Sequence, residues 1–335
     1  MYKNVVISGT GIYYPKENAM EYDKIVNHFK SLDIEVEGLL KHLGKKVRFI
    51  ADSSETPITL AHKAAVIALN SANLEIKDID MIVVSTDTPE YNVPSNAIKL
   101  SKSLNAKETH VAFDINGNCA GGIIAMDQVS SYLKTHKHIK RALIVGVFMG
   151  SHIHKETDPI SYSIFSDGAG AVILEKKEEN FERGFIDSQY NSNSDYHNMN
   201  SFPKFGFTSM LKNNVKEDEN LKLYVNPEIQ LSFVPDVWVE IISTLLERNN
   251  LTSGDIDMYF FSQFSLFDIT STIDRLSVNH DKFIYTGDKY GYTGSSSPIF
   301  ALNHALKEQD YNKYSTAVFC GIGAGYSSAS LLYKF

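Results

Sequence analysis

Short apolar runs alternate along this chain with longer segments of helical spacing. Residues 4–9 predict a strand, closed by Gly9–Gly11, and residues 21–43 predict helix. Thr59–Ala72 is an alanine-rich amphipathic helix pattern, followed by a buried strand at Asp80–Ser85 (DMIVVS) and a loop at 89–96. Ala97–Leu104 reads as a short helix. Val111–Phe113 is a strand, and Ile123, Met126, Val129 and Leu133 then fall on one helical face. Further strands are expected at Arg141–Gly146 and at 170–176, a helix at Val237–Leu246, and a closing strand at 330–335. Strands alternating with helices around apolar runs predict an α/β fold with a largely buried sheet. Residues 186–227 break the pattern; rich in Asn, Ser, Asp and Lys, they are expected to be loop-rich cover rather than sheet.

The pattern repeats. NLEIKDIDMIVVS (73–85) matches NLTSGDIDMYFFS (250–262) at an offset of 177, with seven of thirteen positions identical. Flanking elements agree at nearly the same offset: ALIVG (142–146) answers to AVFCG (317–321), and the helix after Cys119 to Ser296–Lys307. Two duplicated halves are expected, 1–178 and 179–335, with an active site between them at the ends of equivalent strands.

Composition narrows the function. With 43% hydrophobic residues, 335 residues form one large domain or two ordinary ones. A net charge of −8 argues against a nucleic-acid binder, and no apolar run approaches a membrane span. The N-terminus enters a strand directly, so no signal peptide is expected, and two cysteines make no disulfide framework; a cytoplasmic protein is the default. The basic stretches Lys41–Arg48 and Lys134–Arg141 are expected to be solvated faces.

Candidate chemistry centres on Cys119. It lies where a strand gives way to a helix, ahead of Gly121 and Gly122. Free N–H groups at a helix start lower a thiol pKa and can hold an oxyanion, and the glycines leave room for a substrate. The alternative is an inert buried cysteine, the reading taken for Cys320. His152 and His154 form an H-x-H pair without an evident third ligand, so no metal site is expected. Asp167 reads as a turn residue.

GTGIYYP (9–15), DIDMIVVSTDTPEYNVPSN (78–96), FDINGNCAGG (113–122), FSDGAGAVIL (165–174), KYGYTGSSSPIFAL (289–302) and GIGAGYSSASLL (321–332) resemble the β-ketoacyl-[acyl-carrier-protein] synthase III family of the thiolase superfamily. The resemblance implies a five-layer αβαβα fold and dimers formed through the strand leading into Cys119. It implies an acyltransferase of fatty-acid-like or specialised biosynthesis. That enzyme takes an acyl group from acyl-CoA or an acyl carrier protein onto Cys119 and passes it to an acceptor, with no tightly bound cofactor. The oxyanion hole would be the Cys119 N–H with an N–H from Gly323, Ala324 or Gly325. The family's catalytic His and Asn fall on Ser262 and Tyr292, which puts decarboxylative condensation in doubt. Gly38 and His42 stand where an aromatic and an Arg grip the adenine of coenzyme A, and Phe267 where a basic residue meets the carrier protein. Val93, with Tyr91 beside it, stands where an aromatic caps the acyl tunnel of the partner subunit, implying a roomier pocket. Asp87 and Glu90 share this loop; in related hydroxymethylglutaryl-CoA synthases a Glu of this region is the base, and Glu90 is the possible base here, the alternative being a surface-loop carboxylate. Two alternatives stay open: a catalytically weak subunit paired with an active homologue as a heterodimer, and a true 3-oxoacyl synthase using another base.

Overall fold

The computed structural model describes residues 1–212, 221–308 and 314–335. Numbering only sheet strands and layer helices, the chain runs β1 (Tyr2–Tyr13), α1 (Pro57–Ser71), β2 (Met81–Ser85), α2 (Asn96–Ser103), β3 (Val111–Ile115), α3 (Gly121–Thr135), β4 (Arg141–Phe148) and β5 (Gly168–Glu179). It continues with β6 (Gly184–Ser192), α4 (Val234–Arg248), β7 (Met258–Phe261), α5 (Leu266–Arg275), α6 (Ser297–Glu308), β8 (Thr316–Gly323) and β9 (Ser327–Lys334).

The first sheet has the order β1-β5-β4-β2-β3, antiparallel at β1·β5 and β5·β4 and parallel at β4·β2 and β2·β3. The second sheet repeats it as β6-β9-β8-β7, antiparallel at β6·β9 and β9·β8 and parallel at β8·β7. A single parallel bridge from Tyr259 to Phe283 stands in the place of its fifth strand. Among the described residues the sheets join only at the pair Val5 and Gly184.

Helices set the layers. α3 and α6 pack between the sheets and touch both. α1 and α2 cover the outer face of the first sheet, and α4 and α5 that of the second. Thr56 caps α1, its hydroxyl accepting from the Thr59 N–H at 3.3 Å, with Pro57 preset for the first turn. The face of α3 formed by Ile123, Met126, Val129 and Leu133 is fully buried in the central core. Each such side chain stabilises the layer by roughly 1.5–3 kcal/mol.

Two expectations need correction. Residues 186–192, assigned to cover, belong to β6. The strand reads as polar because it parts from β1 after one residue pair, so one edge and half its side chains face away from the core while β9 supplies its hydrogen bonds. Beyond β6 the segment does act as cover: a two-stranded ribbon pairs Asn200–Ser201 with Tyr224–Val225, and a helix spans Gly206–Lys212. Positions 213–220 of this segment lie outside the described residues.

The stretch Lys41–Arg48 is not a solvated face. Lys45 and Arg48 are 2% and 0% exposed. The Lys45 ammonium donates to the Gln263 carbonyl and lies 5.1 Å from the Tyr285 ring centre and 5.8 Å from that of Tyr292. The Arg48 guanidinium donates to the Tyr162 carbonyl and stacks over that ring at 4.8 Å. Both heads reach carbonyls and ring faces that charge counting along the sequence cannot reveal.

Candidate active site

β3 ends at Ile115, and the chain turns sharply before α3 begins. Asn118 takes the left-handed conformation (φ 49°), its N–H held by Asn116 Oδ1 at 3.1 Å and its Nδ2 donating to the Ala324 carbonyl at 3.1 Å. Cys119 follows within the 3₁₀ turn Asn118–Ala120. Gly323, at the end of β8, lies against this turn: a Cβ there would meet the Gly117 carbonyl at 2.7 Å and stand 3.5 Å from the Cys119 nitrogen. Only glycine admits that approach. Gly325 has φ +77°. The expected oxyanion residues Cys119, Gly323 and Ala324 thus line one cavity.

The structure brings Ser262 and Tyr292 to the same place. Ser262 follows β7, its N–H bonded to the Cys320 carbonyl at 2.9 Å, and its Oγ lies 3.3 Å from Tyr292 Oη. Tyr292 is 1% exposed, pinned by its N–H to the Ile164 carbonyl (2.8 Å) and by its own carbonyl to the Ser166 N–H (2.9 Å). The preceding Gly291 has φ 71°, and a Cβ there would stand 2.6 Å from Ser166 Cβ. Phe264 packs edge-on to the Tyr292 ring at 5.3 Å.

Electrostatics correct the expectation for Cys119. Its thiol is pushed up to about 12, first by burial and then by the Asp87 carboxylate. Hydrogen bonds from Tyr292 and from the backbone at Ala324 and Cys119 itself only partly offset this. The helix-start N–H groups therefore lose to desolvation. Burial raises Tyr292 as well, far above the ordinary phenol value. Burial also brings Lys45, behind the Tyr292 ring, down to about 7.

Three cavities meet around these residues. One of about 90 Å³ runs from Cys119 and Ser262 to Phe233, Trp238 and Ile322. A second of about 140 Å³ holds Cys119, Tyr292, Asp87, Phe148 and Ala324. A third of about 470 Å³ shares Asn200 and Phe264 with both and Met199 with the first, and reaches His42 and Phe267, whose rings stack at 4.4 Å. Met199 and Asn200 come from the cover segment.

The loop after β2 separates its two carboxylates. Asp87 faces the second cavity, and its Oδ1 is buried without a hydrogen-bond partner. Glu90 is exposed, its N–H bonded to Asn96 Oδ1 at 3.0 Å, and lines neither cavity at Cys119. Val93 and Tyr91 are 86% and 44% exposed on the surface of the single chain, away from its own Cys119 cavities. They lie in the segment before α2, which packs on β3, and among the described residues β3 pairs only with β2 and so forms the sheet edge. Among the described residues no helix is long and apolar enough to cross a membrane, and no group of three or more His, Cys, Asp or Glu side chains is placed to hold a metal. Arg48 sits 3.4 Å from His154, whose imidazole burial and this cation push down to about 3. Asp167 is buried as a structural link: it accepts from the N–H groups of Ala51 (2.7 Å) and Ser151 (2.9 Å).

Comparison with known proteins identifies relatives of the chain. Residues 113–194 match the family described as 3-oxoacyl-[acyl-carrier-protein (ACP)] synthase III, and residues 246–335 its C-terminal part. The β-ketoacyl-[acyl-carrier-protein] synthase III of Actinobacillus pleuropneumoniae serotype 5b is 30% identical over 342 residues, covering 100% of both chains. The chain belongs to the 3-oxoacyl-ACP synthase III family. The synthase III of Coxiella burnetii (strain Dugway 5J108-111) is 31% identical over 336 residues, covering 98% of each chain. The crystal structure of the Aquifex aeolicus synthase III superposes with a TM-score of 0.85 at 24% identity, covering 99% of this chain and 100% of the other. The thiolase-like fold is thus shared with synthase III structures.

Sequence reasoning did not single out Lys45, Trp238 or the cover residue Met199. A lysine inside a run of surface-like charges, and apolar residues of a distant helix and a polar segment, carry no local signal of a site.

Proposed function

We propose that this chain is an acyltransferase of the synthase III type. An acyl thioester enters past His42 and Phe267, and its acyl group passes to Cys119 and then to an acceptor. The observation that carries this reading is the close approach of Gly323 to the Cys119 nitrogen, beside a thiol that opens on an apolar cavity. A thioester carbonyl seated there has backbone N–H groups for its developing oxyanion. The donor is acyl-CoA or an acyl carrier protein, and no tightly bound cofactor takes part.

Decarboxylation of a malonyl group is weak in this reading. An enolate needs strong or charge-assisted donors, and the Ser262 and Tyr292 hydroxyls are neutral. Two copies pair through the β3 edge, bringing Val93 and Tyr91 of each to the other's acyl pocket. The replacement of both polar partners of the cysteine favours a second reading, in which the chain is a weak subunit of a heterodimer with an active homologue. Incubating the protein with acyl-CoA and acyl-carrier thioesters of graded length and weighing it by mass spectrometry tests the first reading. An acyl adduct is expected in wild type and absent from Cys119→Ala; label confined to a co-purified homologue would favour the second.

A further inference from the structure

The acyl-transfer reading leaves one demand unmet. The Cys119 thiol must lose its proton as the sulfur attacks, and burial beside the Asp87 carboxylate disfavours the free thiolate, so a base is needed. Ser262 and Tyr292 are hydroxyls of high pKa. Lys45 is turned to the Gln263 carbonyl, and His154 faces Arg48. Asp268 lines the first cavity, but its carboxylate is hydrogen-bonded to Ser265.

Asp87 differs from all of these. Its Oδ1 is shut off from solvent and has no hydrogen-bond partner, a rare condition for a buried carboxylate. It opens on the cavity it shares with Cys119 and Tyr292, and both feel its charge. Those two are the only other titratable residues lining that cavity among the described residues. At about 140 Å³, the cavity has room for water between the groups.

We propose that Asp87 is the general base for acylation of Cys119. This rests on the acyl-transfer reading. The Asp87 carboxylate accepts the thiol proton across the cavity while the Cys119 sulfur forms its bond to the thioester carbonyl carbon. The tetrahedral intermediate then breaks the old carbon–sulfur bond, and the proton held on Asp87 passes to the departing thiolate. One thioester is exchanged for another, the proton returns, and no oxidant or further reactant enters. Burial supports the role by raising the Asp87 carboxyl to about 6, where it can both take and release a proton near neutrality.

The test compares wild type, Asp87→Asn and Asp87→Glu in two reactions of Cys119. The first is acylation by acetyl- and hexanoyl-CoA followed by mass spectrometry; the second is alkylation by iodoacetamide, which needs only a thiolate. Asp87→Asn should acylate about 10²-fold more slowly, without the wild-type rise through pH 6, and Asp87→Glu should recover part of the rate. Alkylation of Asp87→Asn should be as fast as wild type or faster, because removing a negative charge lowers the thiol pKa. Acylation of Asp87→Asn at the wild-type rate and pH profile would overturn the assignment. An equal fall in both reactions would also overturn it, as the mark of a structural role. Wild type left unlabelled by either donor and by the wider thioester panel would instead sink the acyl-transfer reading, and this assignment with it.

Discussion

The two turns that enter α3 and α6 occupy equivalent places in the two halves, yet of the two only the first lines any of the cavities described above. Asn118–Ala120 and Gly294–Ser296 are both 3₁₀ turns whose first residue has positive φ, 49° and 56°. They pack against each other across the middle layer. Cys119 stands second in one and Ser295 second in the other. Ser295 is 0% exposed and donates to the Ser85 carbonyl at 3.0 Å, whereas Cys119 faces two cavities. Ser85 and Ser262 are the matching residues after the repeated DIDM segment. Backbone geometry therefore does not make the site. What sets the Cys119 turn apart is the thiol, the cavity lined by Trp238 and the cover segment, and the glycine of β8 that lets its strand pack close against the turn.

The largest expected effect separates these turns. Cys119→Ala should abolish acyl labelling, while Ser295→Ala should label within about twofold of wild type and lose about 1 kcal/mol of stability with its buried hydrogen bond; urea unfolding and adduct mass check both. Next comes the pair beside the thiol. Ser262→His with Tyr292→Asn should raise carbon dioxide release from a malonyl thioester on the order of 10²-fold, since it adds groups able to stabilise an enolate; an unchanged rate would show that the pocket lacks more than these two groups.

Smaller shifts sharpen the picture at its margins. Val93→Phe should turn donor preference towards short chains by about fourfold per methylene, from ~0.8 kcal/mol for each buried CH₂, and only in the dimer; competition between acetyl and hexanoyl donors reads this out. Lys45 gives a pH signature. Its folded pKa, about 7, lies below the ordinary 10.5. The unfolded chain therefore binds more protons between these values, and stability from this group rises with pH across that window. Lys45→Met should flatten that rise in a thermal unfolding series from pH 7 to 10, and an identical slope would contradict a buried, strained ammonium.

Much of the fold was legible because the core is periodic. The repeat at 73–85 and 250–262 placed β2 and β7 in equivalent positions, and the apolar stripe of α3 placed Cys119 at a helix start. The misses have physical causes. β6 hid in polar residues because it leaves β1 after one pair. The sign of the Cys119 shift was missed because spacing shows the helix start but not the desolvation around it. Loop residues 87 and 90 look alike in sequence, and only the fold after Ser85 turns Asp87 inward and leaves Glu90 outside.

The most direct measurement is peptide mapping after a rapid quench with the donor panel. An acyl group on the Cys119 peptide, released by neutral hydroxylamine as a thioester should be, and none on the Ser295 peptide, is the predicted result. A folded protein that carries no acyl group with any donor, or carries it elsewhere than Cys119, would contradict the account.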